Sequence, residues 1–251
     1  MPNHLRRVKP PFFFSISTMF KFSTGNSKLS KDTLIFDLPA GKSCPGAKDC
    51  LAFIVHESGQ RHLVDGPESC FRCFAASSEV RFPAVSANRE FNYSLAKKCL
   101  KTGMLVYELD RAIHEQRIKK TKKIRIHSSG DFFSLSYLLG WLEVARINPD
   151  LDFYCYSKSL HFFVKLGPGE IPPNFYVTAS MGGKFDHFIE VGLFPRYAIV
   201  VNSEEEAETT GYLLLGRPLE IDHTDDHCFG PGPFALLVHG SQPKGSEAGK
   251  Q

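Results

Sequence analysis

The chain has 251 residues, of which 42% are hydrophobic and 23% charged, and its formal net charge is +3. That length suits one medium domain or two small ones, because domains usually contain about 100–200 residues. The apolar fraction and the balanced charge exclude an intrinsically disordered chain. A charge this small does not by itself indicate a nucleic-acid-binding protein.

Both ends of the chain are predicted to lie outside the fold. Residues 1–18 combine a basic patch with a short apolar run that opens with two prolines, and no small-residue cleavage site follows. We therefore expect a leader or a start-site extension there. Residues 19–240 are predicted to form a single domain, and the polar, glycine-containing residues 241–251 a flexible tail.

The seven cysteines limit the redox chemistry of the chain. An odd number excludes complete pairing into disulfides within one chain, and in a reducing cytosol clustered cysteines more often hold metals. The sequence also lacks about 18 consecutive apolar residues, the length that a transmembrane helix needs. We therefore predict a cytoplasmic protein without a membrane span.

The apolar pattern predicts strands that alternate with helices. Strands are predicted at 29–38, 123–127, 151–156, 174–179, 196–201 and 234–238. Helices are predicted at 88–117, divided near Gly103, at 135–145 and around 161–166. This alternation, with strands apolar on both faces, favours parallel βαβ units. We predict an α/β fold, as a partial or open (β/α) barrel or, alternatively, a doubly wound sheet.

Four cysteines lie within 30 residues in the cysteine-rich segment, residues 40–87. Cys70 and Cys73 form a C-x2-C pair, whose thiolates reach one metal from a single tight turn. Cys44 and Cys50 would supply one or two further ligands. Four thiolates suit structural zinc, and three or four suit an iron–sulfur cluster. The alternative is unliganded thiols that pack as small hydrophobic groups.

A polar turn with a carboxylate follows the strand predicted at 123–127. The run Ser128-Ser129-Gly130-Asp131 places Asp131 at the carboxyl end of a parallel strand, where ligand sites of α/β barrels and open sheets gather. The alternative is that Asp131 or Ser134 caps the following helix.

Three segments resemble motifs of radical S-adenosylmethionine proteins. Cys70-Phe-Arg-Cys-Phe-Ala75 is similar to the C-x-x-C-aromatic-Ala that ends their cluster motif. Ser129-Gly130-Asp131 is similar to their Gly-Gly-Glu strand end, which receives the amino group of S-adenosylmethionine. Tyr156-Ser157-Lys158-Ser159 is similar to the Thr-Lys or Thr-Asn turn one unit later. The order of these segments over residues 65–205 resembles a partial barrel of that class.

This resemblance implies a 4Fe–4S iron–sulfur cluster in the cysteine-rich segment. Cys70 and Cys73, with Cys50 and/or Cys44, would hold the cluster, and its open iron would bind S-adenosylmethionine. The family spacing is usually C-x3-C-x2-C, whereas nineteen residues separate Cys50 from Cys70 here. A non-catalytic protein with zinc on four cysteines is therefore the alternative.

The same resemblance implies an enzyme whose substrate is unknown. Ser129, Gly130 and Asp131 would bind the cofactor, and Asp131 and Lys158 would be the catalytic residues. Asp131 stands where the family usually has Glu, which shortens its reach by one methylene.

The chain also resembles a phage family named after mycobacteriophage gene product 88. This second resemblance covers nearly everything after Met19, and it implies a phage-encoded protein in the host cytoplasm. The segments that carry it are 23–29, 38–47, 127–131, 154–159 and 239–245.

A basic run leaves a nucleic-acid partner open for the zinc alternative. Its members are Arg117, Lys119, Lys120, Lys122 and Lys123. They would bind by neutralising phosphates, or they would form a solvated helix end, where the helix dipole favours cations. A zinc-bearing transferase that modifies nucleobases is a third hypothesis, with Asp131 as acid/base or nucleophile.

The other cysteines and a histidine-containing segment near the C-terminus lie outside these motifs. Residues 222–228 contain His223, His227 and Cys228 among aspartates, and they suggest a solvated turn, a second metal site or a further ligand for the first cluster. Cys99 and Cys155 are predicted in the core. The sequence contains no Walker loop, G-x-S-x-G or H-E-x-x-H motif, so nucleotide hydrolysis, triad hydrolysis and zincin chemistry are not predicted.

Overall fold

A seven-stranded sheet organises the chain. The computed structural model describes residues 19–26, 28–167, 169–244 and 246–250, so the predicted leader at 1–18 lies outside the described residues. The strands of this sheet are β1 (Phe22–Thr24), β2 (Thr33–Phe36), β5 (Lys123–Ile126), β6 (Asp152–Ser157), β7 (Phe175–Ser180), β8 (Tyr197–Val201) and β9 (Phe234–Leu237). A separate hairpin consists of β3 (Ala52–Glu57) and β4 (Gln60–Asp65).

Helices connect most of the parallel strands. They are α1 (Phe74–Arg81), α2 (Pro83–Thr102), α3 (Leu105–Gln116), α4 (Leu135–Ile147), α5 (Leu160–Phe163), α6 (His187–Glu190) and α7 (Glu204–Leu215). Pro83 begins α2 and Gly103, with a φ of +70°, ends it, as is common at helix starts and ends. Gly103 thus separates α2 from α3, as the sequence predicts.

The spatial order of the strands is β1-β2-β5-β6-β7-β8-β9. Only the β1–β2 pair is antiparallel among these described strands, and every other neighbouring pair is parallel. From β2 onward the spatial order equals the chain order, without the reversal that defines a doubly wound sheet. The predicted α/β class is therefore confirmed, and the six predicted strands correspond to β2 and β5–β9.

The main core lies between the sheet and helices α2, α3 and α4. Trp141 and Tyr137 of α4 are fully buried there. Cys99 and Cys155 belong to the same core, as predicted. Ser134 Oγ accepts a hydrogen bond from Tyr137 N (3.2 Å), so Ser134 rather than Asp131 caps α4.

The cysteine-rich segment, residues 40–87, folds as a loop, the β3–β4 hairpin, α1 and the start of α2. The predicted tail runs past this segment: the side-chain amide of Gln242 donates to Arg72 O (3.1 Å) and accepts from Arg72 N (2.8 Å). Flexibility of the tail stays a prediction. Within the described residues, no helix is long and apolar enough to cross a membrane.

Candidate functional site at the carboxyl edge of the sheet

The cysteine loop, residues 39–50, crosses the carboxyl edge of the sheet, which we define as the segments that directly follow β2, β5, β6 and β7. Directly before the loop begins, Leu38 N donates to Ser129 O (2.9 Å), which follows β5. Beside β7, Asp49 N donates to Gly182 O (3.0 Å). The loop therefore spans from the end of β2 to the end of β7, where ligand sites of parallel sheets gather.

Two glycines allow the loop to approach the strand ends closely. A Cβ atom on Gly46 would lie 2.1 Å from Lys158 O, so a larger residue cannot occupy this position beside β6. A Cβ atom on Gly130, whose φ is +87°, would lie 2.6 Å from Ser43 Oγ. Gly130 therefore lets the end of β5 pass beneath the cysteine loop.

Three of the four clustered cysteines share one environment. The thiols of Cys44, Cys50 and Cys73 lie near enough that charge on one raises the pKa of another. Cys70 is exposed instead, and its Sγ lies 3.8 Å from the carbonyl oxygen of Glu68. The structure thus brings three of the four predicted ligands together, and it leaves the fourth, Cys70, exposed.

Burial raises the pKa of each of these three thiols. The pKa of Cys50 is raised to about 11, because burial outweighs the opposing charge of Lys158. The pKa of Cys73 is raised although two backbone N–H groups of α1 and the charge of Arg89 oppose the rise. A cation among the thiols would favour their thiolate forms, and this donor chemistry suits a metal centre.

The spacing of these thiols bears on which metal centre they fit. No three His, Cys, Asp or Glu side chains of the described ranges lie close enough together to hold a single metal ion. One zinc ion draws its thiolates to within about 4 Å of one another, since each Zn–S bond is about 2.3 Å. A polynuclear iron–sulfur cluster binds each thiolate at a different iron, and it therefore takes more widely spaced thiolates.

Asp131 is buried, 4% exposed, and connects the ends of β5 and β6. Its Oδ1 accepts from Ser157 Oγ (2.7 Å) and Phe132 N (2.7 Å). Its Oδ2 accepts from Lys158 N (2.9 Å) and Ser159 N (3.1 Å). Burial raises the pKa of Asp131 and these hydrogen bonds oppose the rise. Because a carboxylate has about four acceptor positions, the chain itself fills them.

Lys158 connects the ends of β6 and β7. Its Nζ donates to Ser180 Oγ (3.0 Å), to Ser180 O (3.3 Å) and to Met181 O. An ammonium group has three donors, so these contacts use all of them. The charge of Lys158 also opposes the rise in the pKa of Cys50 that burial causes, and it thereby favours the thiolate of that cysteine.

Ser129 is the third cofactor-binding residue that the sequence predicts. Its Oγ donates to Leu38 O (2.8 Å) and lies 3.3 Å from Glu79 Oε1. Ser129, Gly130 and Asp131 therefore lie at the carboxyl edge together, and each contacts the chain around it. Their role toward a cofactor stays a prediction.

Comparison with known proteins identifies the family. The family model described as Gene product 88 matches residues 19–251. The chain belongs to the gene product 88 family. The Gene 88 protein of Mycobacterium phage L5 is 34% identical over 91 residues, which cover 34% of this chain and 38% of that protein. The matched region is thus well under half of the curated relative, and no solved structure matches the chain.

A buried ion-pair network supports the site in this gene product 88 chain, and sequence analysis missed it. Arg89 Nη1 lies 2.9 Å from Glu79 Oε1, and Arg89 Nη2 lies 3.2 Å from Asp37 Oδ2. Asp37 also accepts from Ser128 Oγ (2.7 Å). One signal was available: Asp37 is a carboxylate within the otherwise apolar end of the strand predicted at 29–38.

The basic run of this family member does not form one patch. Arg117, Lys119 and Lys122 line a surface pocket of about 340 Å³ together with His114 and Asp150. Lys123 instead lies at the start of β5, 3.7 Å from Asp226. The pocket adjoins the amino end of β5, opposite the carboxyl edge.

The second histidine-containing segment forms a compact turn. His227 Nε2 lies 3.0 Å from Glu220 Oε2, and His227 Nδ1 lies 3.4 Å from Asp222 Oδ2. Cys228 is buried beside Tyr154 and Phe234. These contacts pair the histidine with carboxylates, which favours the interpretation as a turn.

Proposed function

We propose that this gene product 88 protein binds an iron–sulfur cluster at the carboxyl edge of its sheet. The observation that carries the proposal is the shared environment of Cys44, Cys50 and Cys73. A polynuclear cluster is preferred here over a single zinc ion, because no three ligand side chains of the described residues lie close enough to hold one ion. Lys158 and Arg89 lie beside the thiols and oppose the rise in their pKa values, so both would stabilise bound thiolates.

We infer further that the protein is an enzyme similar to radical S-adenosylmethionine proteins, on a partial (β/α) barrel. The parallel strands in chain order support that architecture. Three cysteine ligands would leave one iron free, and a cluster of this kind supplies the electron that cleaves S-adenosylmethionine reductively. Asp131 and Lys158 would fix the ends of β5, β6 and β7 around the bound cofactor, because their polar atoms already join those segments.

Anaerobic purification with metal analysis and a visible spectrum tests this proposal. We expect a brown protein with stoichiometric iron and sulfide that binds S-adenosylmethionine in calorimetry. Cys44→Ser, Cys50→Ser and Cys73→Ser should each lose most of the iron, whereas the core variant Cys99→Ser, as a matched control, should keep it. A colourless protein whose single zinc survives anaerobic reconstitution would contradict the proposal.

Cys70→Ser distinguishes a three-cysteine from a four-cysteine site. Cys70 is exposed, whereas the other three thiols are half-buried, so we expect this variant to retain its iron. Loss of iron equal to that of Cys73→Ser would show that Cys70 is a ligand and that the Cys70–Cys73 segment rearranges when the cluster binds.

Nucleic-acid binding at the basic pocket is a second candidate function. The pocket of about 340 Å³ with Arg117, Lys119 and Lys122 in its lining is the observation that favours it. Phosphate contacts make affinity fall with salt: the logarithm of the binding constant falls with the logarithm of the salt concentration, with a slope of about −0.7 per phosphate contacted on single strands. Single-stranded DNA binding measured at several salt concentrations should therefore show a shallower slope after the three lysines of the run at 119–122 are changed to Gln.

The matched control for that experiment removes three exposed lysines of α2, namely Lys97, Lys98 and Lys101, in the same way. Both triple variants lose the same net charge. An equal loss of binding in the two variants would assign the effect to overall charge and reject the pocket.

A further inference from the structure

The side chain of Asp225 binds to three donor side chains on one face of the sheet. This face lies opposite the one that packs against α2, α3 and α4. Asp225 Oδ1 accepts from Tyr156 Oη (3.1 Å), and Asp225 Oδ2 accepts from Tyr154 Oη (3.3 Å). Arg125 forms an ion pair with the same carboxylate. One guanidinium and two phenol groups around one carboxylate make a complete carboxylate-binding site.

The strand register places these donors side by side. Arg125 of β5 pairs with Tyr154 of β6, and Tyr156 is two residues further along β6 on the same face. The guanidinium carbon lies 5.6 Å from the ring centroid of Tyr154 and 4.6 Å from that of Tyr156. Stacking on two rings holds the guanidinium in place, so the sheet rather than the loop fixes the site.

The turn that contains Asp225 has a strained backbone at that residue. Asp225 has a φ of +66°, in the left-handed region that favours glycine. Asp222 shapes the turn, because its carboxylate accepts from Thr224 N (2.8 Å) and His227 N (3.0 Å). The contacts of the Asp225 carboxylate therefore offset backbone strain that a displaced loop would relieve.

The donor cluster opens into a pocket that a second anionic group could fill. The pocket has a volume of about 260 Å³, and its lining includes Tyr154, Asp225, Phe229, Lys28 and Lys123. The two lysines add positive charge away from Arg125, and Asp226, which also lines the pocket 3.7 Å from Lys123, offsets part of it. In addition, Arg125 Nε is buried and has no hydrogen-bond partner within the described part of the chain.

We propose that Arg125, Tyr154 and Tyr156 form a binding site for a small organic dicarboxylate, which Asp225 occupies as an internal stand-in. One ligand carboxylate takes the place of the Asp225 side chain, and the other lies near Lys28 and Lys123. Binding requires the Asp222–Phe229 turn to move aside. The affinity of the intact protein is consequently reduced by the fraction of molecules in which the turn is displaced.

Removing the stand-in carboxylate tests this site. Asp225→Gly keeps a residue that tolerates positive φ, and Asp225→Asn serves as a second variant in case the first fails to fold. Isothermal titration of the full chain with succinate should give a dissociation constant about tenfold or more below that of the unaltered protein, since the competing group is gone. Glu205→Gln is the control, because it removes one negative charge from an exposed position of α7 that does not line this pocket.

Three results decide the proposal. Combining Asp225→Gly with Arg125→Gln should abolish the gain in succinate affinity while thermal unfolding confirms a folded protein. Succinate should bind more tightly than acetate or inorganic phosphate, because the site already fits a carboxylate and has two cationic ends. Equal succinate affinity in Asp225→Gly, Asp225→Asn and Glu205→Gln, or tighter binding of phosphate, would overturn the proposal.

Discussion

His127 follows β5 with a φ of +68° and a buried ring whose Nε2 lies 3.0 Å from Tyr137 Oη. The ring packs against Phe132 with a centroid distance of 4.9 Å. Burial, with a smaller contribution from the charge of Arg125, lowers the pKa of His127 to about 3. This histidine is therefore neutral at physiological pH, and it serves as a hydrogen-bonded core residue at the end of the strand that leads to Asp131.

The pKa of His127 predicts a loss of stability in acid. The unfolded state binds a proton below about pH 6.5 and the folded state does not until about pH 3, so stability present above pH 6.5 is lost as the pH falls through that window. Each pH unit costs up to about 1.4 kcal/mol. Urea unfolding at pH 7 and at about pH 4.5 measures this loss. Between these pH values the free energy of unfolding should fall less in His127→Gln than in the unaltered protein. In His56→Gln, at an exposed position, it should fall as much as in the unaltered protein.

At the scale of elements, Arg89 joins two helices to a strand end. It lies on α2, contacts Glu79 and Ala75 O of α1, and pairs with Asp37 after β2. Burial raises the pKa of Glu79, and the charge and hydrogen bond of Arg89 oppose that rise. Because Cys73 directly precedes α1, the network also sets the position of one proposed ligand.

Arg89→Met should lower the free energy of unfolding by about 3–5 kcal/mol, because it leaves the carboxylates of Glu79 and Asp37 without their buried cation. Urea unfolding measures the change. Arg81→Met, at an exposed position of α1, should change stability little. A double variant with Glu79→Gln should recover part of the loss, and the absence of any recovery would contradict a direct charge pairing.

The sequence predicted the elements that carry the parallel sheet better than those around the cysteines. Strands β6 to β9 are short, mostly apolar runs, and β5 alternates Ile124 and Ile126 with basic residues, so both patterns predict strands. Strand β4 is polar and half-exposed, and only the Ser58-Gly59 turn, with both φ values positive, marks its hairpin. Spacing likewise predicted Cys70 and Cys73 as a chelating pair, and this stays a prediction: Cys70 N bonds to Asp49 O, and Cys73 directly precedes α1.

On the scale of the whole molecule, the candidate metal site joins segments that are distant in sequence. Cys44 and Cys50 come from the loop after β2, Cys73 from the start of α1, and Lys158 from the end of β6. A ligand that binds only this native arrangement stabilises the whole fold by mass action. The site is therefore coupled to global stability, although its residues occupy one edge of the sheet.

Loading the site should raise the thermal midpoint of the entire domain. For protein reconstituted with iron and sulfide, a gain of about 3–4 kcal/mol corresponds to roughly a hundredfold to thousandfold excess over the dissociation constant. Calorimetry should show this gain for the unaltered chain and for Cys99→Ser, and not for Cys73→Ser. Equal midpoints with and without iron in the unaltered chain would argue against the metal site.

The sequential strand order has a consequence for biosynthesis. Because every parallel strand joins the side of the sheet where the previous one joined, the fold can grow as the chain leaves the ribosome. The thiols of Cys44, Cys50 and Cys73 emerge early, but the acceptors that hold the Lys158 ammonium, Ser180 and Met181, follow about a hundred residues later. Insertion of a metal centre would thus be a late event, after β7 has joined the growing sheet.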